Sequence, residues 1–178
     1  EAFRELCPRA AARGVRLCLE GTAPAERVRQ MAADVGSAGF GCYMDLANSV
    51  WRGYDSPTEI RRLGELVAQV HLKDIWTGPG DCRPGRGRVD FPECARALEE
   101  IGYDGWLVLE TPVGARELVR RDISFARSAF RSLPRVEPWP QWGAFSWEFG
   151  RGELDRLVEL FRSCGLTTVQ LAGPLLEE

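Results

Sequence analysis

Apolar and polar residues alternate in short runs along this chain, and the runs recur at regular distances. VRLCLE, GFGCYMDLAN, VAQVHLKD, GWLVLET and, late in the chain, TTVQLAG each show the two-residue period of a strand. Between them the period lengthens to that of an amphipathic helix, in APAERVRQMAADVGS, SPTEIRRLGELVAQ, FPECARALEEIG, GARELVRRDISFARSAF and RGELDRLVELFRSCG. EAFRELCPRAAARG precedes them with helical spacing and stops at Gly14, a natural helix end. Strands alternating with helices of this length predict βα units, a parallel sheet and right-handed crossovers.

The four central strands carry a finer pattern. Each closes on a polar residue, Glu20, Asp45, His71 or Glu110, with apolar residues one and three places earlier: Leu19 and Leu17, Met44 and Cys42, Val70, Leu109 and Leu107. Side chains alternate across a strand, so the apolar set faces one side and the polar ends the other. With the apolar side packed on helices, the four polar ends point to what would be the interior of a (β/α)8 barrel. The C-terminal strand ends are where such barrels hold their chemistry. Two Glu, one Asp and the only histidine of the chain form a mixed oxygen and nitrogen donor set. Such a set suits Mn²⁺, Mg²⁺, Co²⁺ or Zn²⁺ rather than a soft thiolate site. The four positions are separated by 25 residues (20 to 45), 26 (45 to 71) and 39 (71 to 110). The first two separations match one βα unit each. The third is stretched by WTGPGDCRPGRGR, a Gly- and Pro-rich loop of the kind that closes over a site at a barrel mouth.

Composition narrows the surroundings of such a site. With 178 residues, 44% apolar and 28% charged, the chain has the make-up of a globular domain. A net charge of -3 and a pI near 5.4 disfavour nucleic acid or an anionic membrane as the main partner. No run of 18 or more apolar residues exists that could span a membrane. The six cysteines, Cys7, Cys18, Cys42, Cys82, Cys94 and Cys164, form no C-x-x-C pair, and several lie in apolar segments. Reduced, mostly buried thiols are therefore expected rather than a disulfide or zinc framework. No secretory signal is visible and the chain opens at Glu1 inside a helical pattern, so a fragment of a cytoplasmic protein is expected.

In order along the chain stand LCLE with Glu20, YMDLAN with Asp45 and Asn48, VHLKD with His71, Lys73 and Asp74, the loop PGRGRVDF, and IGYDGWLVLE ending on Glu110. Over roughly residues 5–132 this succession resembles the C-terminal half of the sugar phosphate isomerase/epimerase family, the xylose-isomerase-like TIM barrels. The resemblance implies that Glu20, Asp45, His71 and Glu110 bind one divalent metal ion (Mn, Co, Mg or Zn), and that Glu20 and Glu110 double as an acid/base pair on opposite faces of the substrate. It implies a metal-dependent isomerase or epimerase of a sugar, sugar phosphate, inosose or hydroxy-keto acid. In that chemistry a carboxylate moves a proton through a metal-stabilised enediolate. Loss of a β-hydroxyl from the same site would give a dehydratase. The implied partner is a small sugar or polyol-derived substrate, without nucleic acid or membrane, and a homo-oligomer is left open. Two other classes compete: an AP-endonuclease-like phosphodiesterase, whose multi-zinc sites are richer in histidine than this chain, and a non-catalytic barrel fragment.

Each residue also has a plainer reading. Glu20, Asp45 and Glu110 could cap following helices, and His71 could donate to a buried carbonyl. Asn48 could contact a substrate or serve as a turn residue. Lys73 could reach a substrate or stay solvated, and Asp74 reads as a turn residue or a partner behind the ligands. Arg86, with Arg83 and Arg88, could meet a substrate phosphate or remain solvated. Trp51, Trp76 and Trp106 could wall the pocket or fill the core. The expected organisation has three parts. Residues 1–132 form half of a barrel, strands five to eight; 133–142 form a Pro-rich linker; and 143–178 open a second barrel segment, tandem or permuted, with strands resembling one and two.

Overall fold

The computed structural model describes residues 2–12, 16–111 and 116–133, together with two strand segments at 143–145 and 168–170. The chain divides into two compact units, Glu1–Pro134 and Arg135–Glu178. In the first, the elements run α1 (Ala2–Ala11), β1 (Leu17–Glu20), α2 (Ala25–Val35), β2 (Phe40–Asp45), α3 (Leu46–Trp51) and α4 (Ser56–Leu63), then β3 (Val67–Leu72), β4 (Asp74–Ile75), β5 (Pro79–Cys82), α5 (Phe91–Glu100), β6 (Trp106–Leu109) and α6 (Arg116–Ala129). Strands β1, β2, β3 and β6 form one sheet in that order, every pairing parallel. This is the α/β architecture expected, and it makes up part of a TIM barrel.

The apolar side of each strand packs as the alternation requires. Cys42, Met44, Val70 and Leu72 are buried, and Leu17, Leu19, Leu107 and Leu109 pack against the same core. Phe40, Ile60, Phe91 and Leu98 complete it from the strand and helix side. Removing such side chains from water is the main force holding helices on a sheet. Phe91 meets the rings of Phe125 and Phe130 edge-on, at 5.1 and 6.3 Å between centroids, so α5 and α6 are locked by aromatic contacts.

Three local expectations change. Helical spacing extended SPTEIRRLGELVAQ to Gln69, yet α4 stops at Leu63 because Gly64 adopts φ 56, a left-handed conformation that glycine tolerates. A 3₁₀ turn at Gly64–Leu66 then leads into β3. The stretch after Asp45 turns at once into α3 instead of extending the strand. The Gly- and Pro-rich loop is also structured: β4 and β5 form an antiparallel hairpin. Asp81 closes its turn by accepting from the backbone N–H of Trp76, Thr77 and Gly78 and from the Thr77 hydroxyl. The Trp76 N–H and these other donors hold its carboxyl well below the usual range.

The remainder of that loop is wound around Asp74, which is fully buried. Its carboxylate accepts from the backbone N–H of Ile75 (2.8 Å), Arg86 (3.1 Å), Gly87 (2.8 Å) and Val89 (3.1 Å). Gly87 sits so close that a Cβ there would lie 2.3 Å from both Asp74 Oδ1 and the Ile75 carbonyl oxygen. An ion pair between Arg83 and the buried Asp122 fastens the loop to α6.

The described cysteines are free. Cys7, Cys42 and Cys94 are buried, and Cys18 and Cys82 partly so; burial pushes the Cys42 thiol up to about 12. Cys164 lies outside the described residues. In the second unit β7 (Gly143–Phe145) and β8 (Thr168–Gln170) pair in parallel, Gly143 opposite Thr168. The helix expected over RGELDRLVELFRSCG lies outside the described residues, as does the expected linker beyond Leu133.

Asp74→Ala strips four backbone N–H groups, those of Ile75 and Val89 buried, of their acceptor and is expected to destabilise the protein by about 3 kcal/mol in chemical denaturation. Gly87→Ala, which drives a methyl into the same carboxylate, should cost about 2 kcal/mol or more.

Candidate functional site

Strand register gathers the polar ends at the C-terminal edge of the sheet. Glu20 pairs with Tyr43, Asp45 with His71, and His71 with Val108. Glu110 follows two residues later, and its N–H donates to the Leu72 carbonyl (3.2 Å), carrying the ladder one step past β6. One ligand atom from each of Glu20, Asp45, His71 and Glu110 lies within 4.8 Å of all the others. His71 Nδ1 is 3.1 Å from Glu20 Oε1, 3.0 Å from Glu110 Oε2 and 4.0 Å from Asp45 Oδ2. The imidazole and Asp45 are buried, while Glu20 and Glu110 keep 36% and 23% of their side chains exposed. The two glutamates are therefore the members that a molecule entering from the mouth meets first.

Asp45 performs two tasks. As N-cap of α3, in extended conformation, it accepts the Asn48 N–H on Oδ1 at 2.9 Å. Its Oδ2 turns the other way and lies 3.0 Å from Lys73 Nζ. The capping reading and the site reading thus both describe this carboxylate, one oxygen each. Lys73 Nζ also reaches Glu110 Oε1 at 2.7 Å.

Electrostatics follow from this crowding. The contact with His71 holds the Glu20 carboxyl below its ordinary value despite partial burial. Burial works to lower His71, but Glu20, Glu110 and Asp45 outweigh it and hold the imidazole above its ordinary value. Burial likewise opposes charge on Lys73, and Asp45 and Glu110 override it. Three carboxylate side chains and one imidazole make a hard, mixed donor set of the type that holds a divalent ion. Glu110 Oε2 is buried and faces His71 Nδ1 on the side where the ligand atoms converge. The residues present therefore fit a metal ion, and among the described residues they form the one His/Cys/Asp/Glu group that could hold it.

Other residues singled out in the sequence fall nearby or elsewhere. Asn48 stands in the first turn of α3, beside Asp45. Arg86 and Arg88 are exposed on the loop, whereas Arg83 is partly buried and paired with Asp122, so it serves the fold of the loop. Asp74 holds that loop from behind and is not one of the converging ligands. Trp51 and Trp76 are 51% and 64% exposed, so neither fills the core; Trp106 is partly buried on β6.

Two residues of the site region escaped the sequence reading. Tyr43 lies two places before Asp45, hence on the same strand face, and its ring stacks on His71 at 4.0 Å between centroids with a 37° tilt. Period-two alternation already placed it there. Its hydroxyl is buried with no hydrogen-bond partner among the described residues. Burial pushes the phenol far above its ordinary value, so the ring stays neutral against the imidazole. Glu59, buried on α4, accepts the Ala25 N–H at the start of α2, where the N-cap is Pro24 and offers no side-chain acceptor. That contact spans 34 residues, and no local pattern signals it.

A parallel βα sheet with a carboxylate–imidazole cluster on its C-terminal strand ends is the arrangement of part of a TIM barrel. The family model for the xylose isomerase-like TIM barrel matches residues 1–129, and the chain belongs to that family. It is 38% identical over 147 residues to a 2-epi-5-epi-valiolone 7-phosphate 2-epimerase of Actinoplanes sp., a match covering 72% of this chain and 49% of that protein. It is 27% identical over 84 residues to an inosose dehydratase of Lacticaseibacillus casei, covering 37% and 28%. The D-psicose 3-epimerase structure from Clostridium cellulolyticum H10 shares the fold, with a TM-score of 0.61 at 21% identity over 72% of this chain and 54% of that one. The chain spans about half the length, or less, of the curated relatives it matches. No helix among the described residues is long and apolar enough to cross a membrane.

The Tyr43 surroundings generate a direct check. Tyr43→Phe removes a hydroxyl that bonds nothing among the described residues and is expected to change unfolding free energy by no more than about 0.5 kcal/mol. Tyr43→Ala, which deletes the ring packed on His71, should cost about 3 to 4 kcal/mol in the same denaturation experiment.

Proposed function

We propose that this chain carries the catalytic half of a metal-dependent sugar or polyol epimerase or isomerase. The observation that supports this reading above the others is the convergence of Glu20, Asp45, His71 and Glu110 within 4.8 Å on four neighbouring strand ends. These four residues would hold one divalent ion, of Mn, Co, Mg or Zn type. Bound there, the ion would polarise adjacent oxygens of a hydroxy-carbonyl substrate and make the C–H between them more acidic.

The chain's own groups supply the remainder. Glu20 and Glu110 approach from different strands and are the exposed members of the set, which fits one taking a proton from a carbon while the other returns it on the opposite face. Their contacts with His71 and Lys73 keep both carboxylates turned into the site before a substrate arrives. Asn48, Lys73 and Arg86 are assigned to substrate binding, Arg86 because its exposed side chain stands on a loop fixed by Asp74 and could meet an anionic substituent. The phosphate-bearing name of the Actinoplanes relative supports an anionic substrate.

A dehydratase is the second reading, favoured by the similarity to the inosose dehydratase. Proton abstraction would be shared, with departure of a β-hydroxyl replacing proton return. The parallel pair β7 and β8 fits residues 143–178 as the opening strands of a further barrel segment, after a linker at 133–142, because consecutive barrel strands pair in this way.

The test is solvent deuterium incorporation into ketose and inosose substrates with Mn²⁺-loaded protein. Wild type should exchange one carbon-bound proton, and Glu20→Gln and Glu110→Gln should each reduce exchange by about 10²- to 10⁴-fold. His71→Ala should weaken Mn²⁺ binding by about a hundredfold in a direct titration. Unchanged exchange in both glutamine variants would remove the acid/base assignment; water elimination without exchange-linked epimerisation would select the dehydratase.

A further inference from the structure

Lys73 stands inside the ligand cluster, only 12% exposed, with its ammonium 3.0 Å from Asp45 Oδ2 and 2.7 Å from Glu110 Oε1. Counting oxygens shows what this arrangement demands. Asp45 Oδ1 accepts the Asn48 N–H, and Oδ2, the oxygen that faces His71 Nδ1 at 4.0 Å, is the one Lys73 already holds. Glu110 divides differently. Its Oε1 meets Lys73, and its Oε2 lies 3.0 Å from His71 Nδ1. Glu110 therefore presents one oxygen to the ammonium and the other to the His71 side of the cluster, whereas Asp45 presents Oδ2 to both.

Charge leads to the same conclusion. Three carboxylates crowded within 4.8 Å repel one another unless a cation lies among them. Lys73 is the lysine that supplies it.

We propose that Lys73 is the resident counter-cation of the cluster. It keeps Asp45 and Glu110 in place while no metal ion is bound and competes with a divalent ion for Asp45 Oδ2. Metal binding releases the ammonium from Asp45 while Glu110 Oε1 retains it, and this exchange sets the affinity of the site. The inference rests on the metal-site reading above.

The experiment is a direct Mn²⁺ titration of the purified full chain, following free Mn²⁺ by electron paramagnetic resonance, with wild type, Lys73→Met and Lys73→Arg. With the competing charge gone, Lys73→Met is expected to bind Mn²⁺ about tenfold more tightly or better. Its metal-free form should melt below metal-free wild type and gain more in Tm from Mn²⁺. Lys73→Arg, which keeps the charge, should stay near wild-type affinity. Equal or weaker Mn²⁺ binding by Lys73→Met overturns the counter-cation assignment while leaving the ligand set standing. Failure of wild type and Lys73→Met alike to bind Mn²⁺ overturns both. If Lys73→Met does not fold, Lys73→Gln provides the same neutral comparison.

Discussion

Like-charge crowding at the strand ends is the constraint from which the site follows. Three carboxylate side chains would ordinarily separate toward water, since a buried carboxylate without a partner is heavily penalised. Here the backbone removes that freedom: parallel register fixes Glu20, Asp45 and Glu110 around His71 within a few ångströms. Positive charge must then be found locally, and Lys73 provides it. The same four side chains form the group that could hold a divalent ion.

The loop beside the site solves a different problem. A segment as rich in Gly and Pro as residues 76–89 has high conformational entropy in the unfolded chain and few side chains with which to order itself. Two buried carboxylates order it from outside, Asp74 through four backbone N–H groups and Asp122 through Arg83. Asp74 lies three residues beyond His71, so one short stretch supplies a candidate ligand, the counter-charge and the anchor of the neighbouring loop. A disturbance of the loop anchor would be felt at the site through this stretch of β3 and β4.

The strands and their inward ends were legible because alternation is a local property and four strands repeat it with the same polar terminus. Tyr43 obeyed that rule too and was passed over only because an aromatic residue in a strand draws no chemical attention. What sequence could not disclose were contacts that close across long separations. Glu59 on the α2 terminus, Asp122 on Arg83, and the gathering of four backbone N–H groups on Asp74 depend on how elements pack, not on spacing. The overlong helix at 56–69 has the opposite origin: its apolar period runs smoothly through Gly64, where the backbone turns left-handed.

The four strands also separate two functions that a whole barrel combines. All proposed ligands come from the ends of adjacent strands β1, β2, β3 and β6, so this half of the wall carries the whole candidate cluster. The rim opposite the described strands would touch the far side of a substrate, and it would decide which sugar is held and whether a β-hydroxyl is aligned to leave. The two relatives, an epimerase of Actinoplanes and an inosose dehydratase of Lacticaseibacillus, differ in the reactions their names give, and this chain resembles both over part of its length.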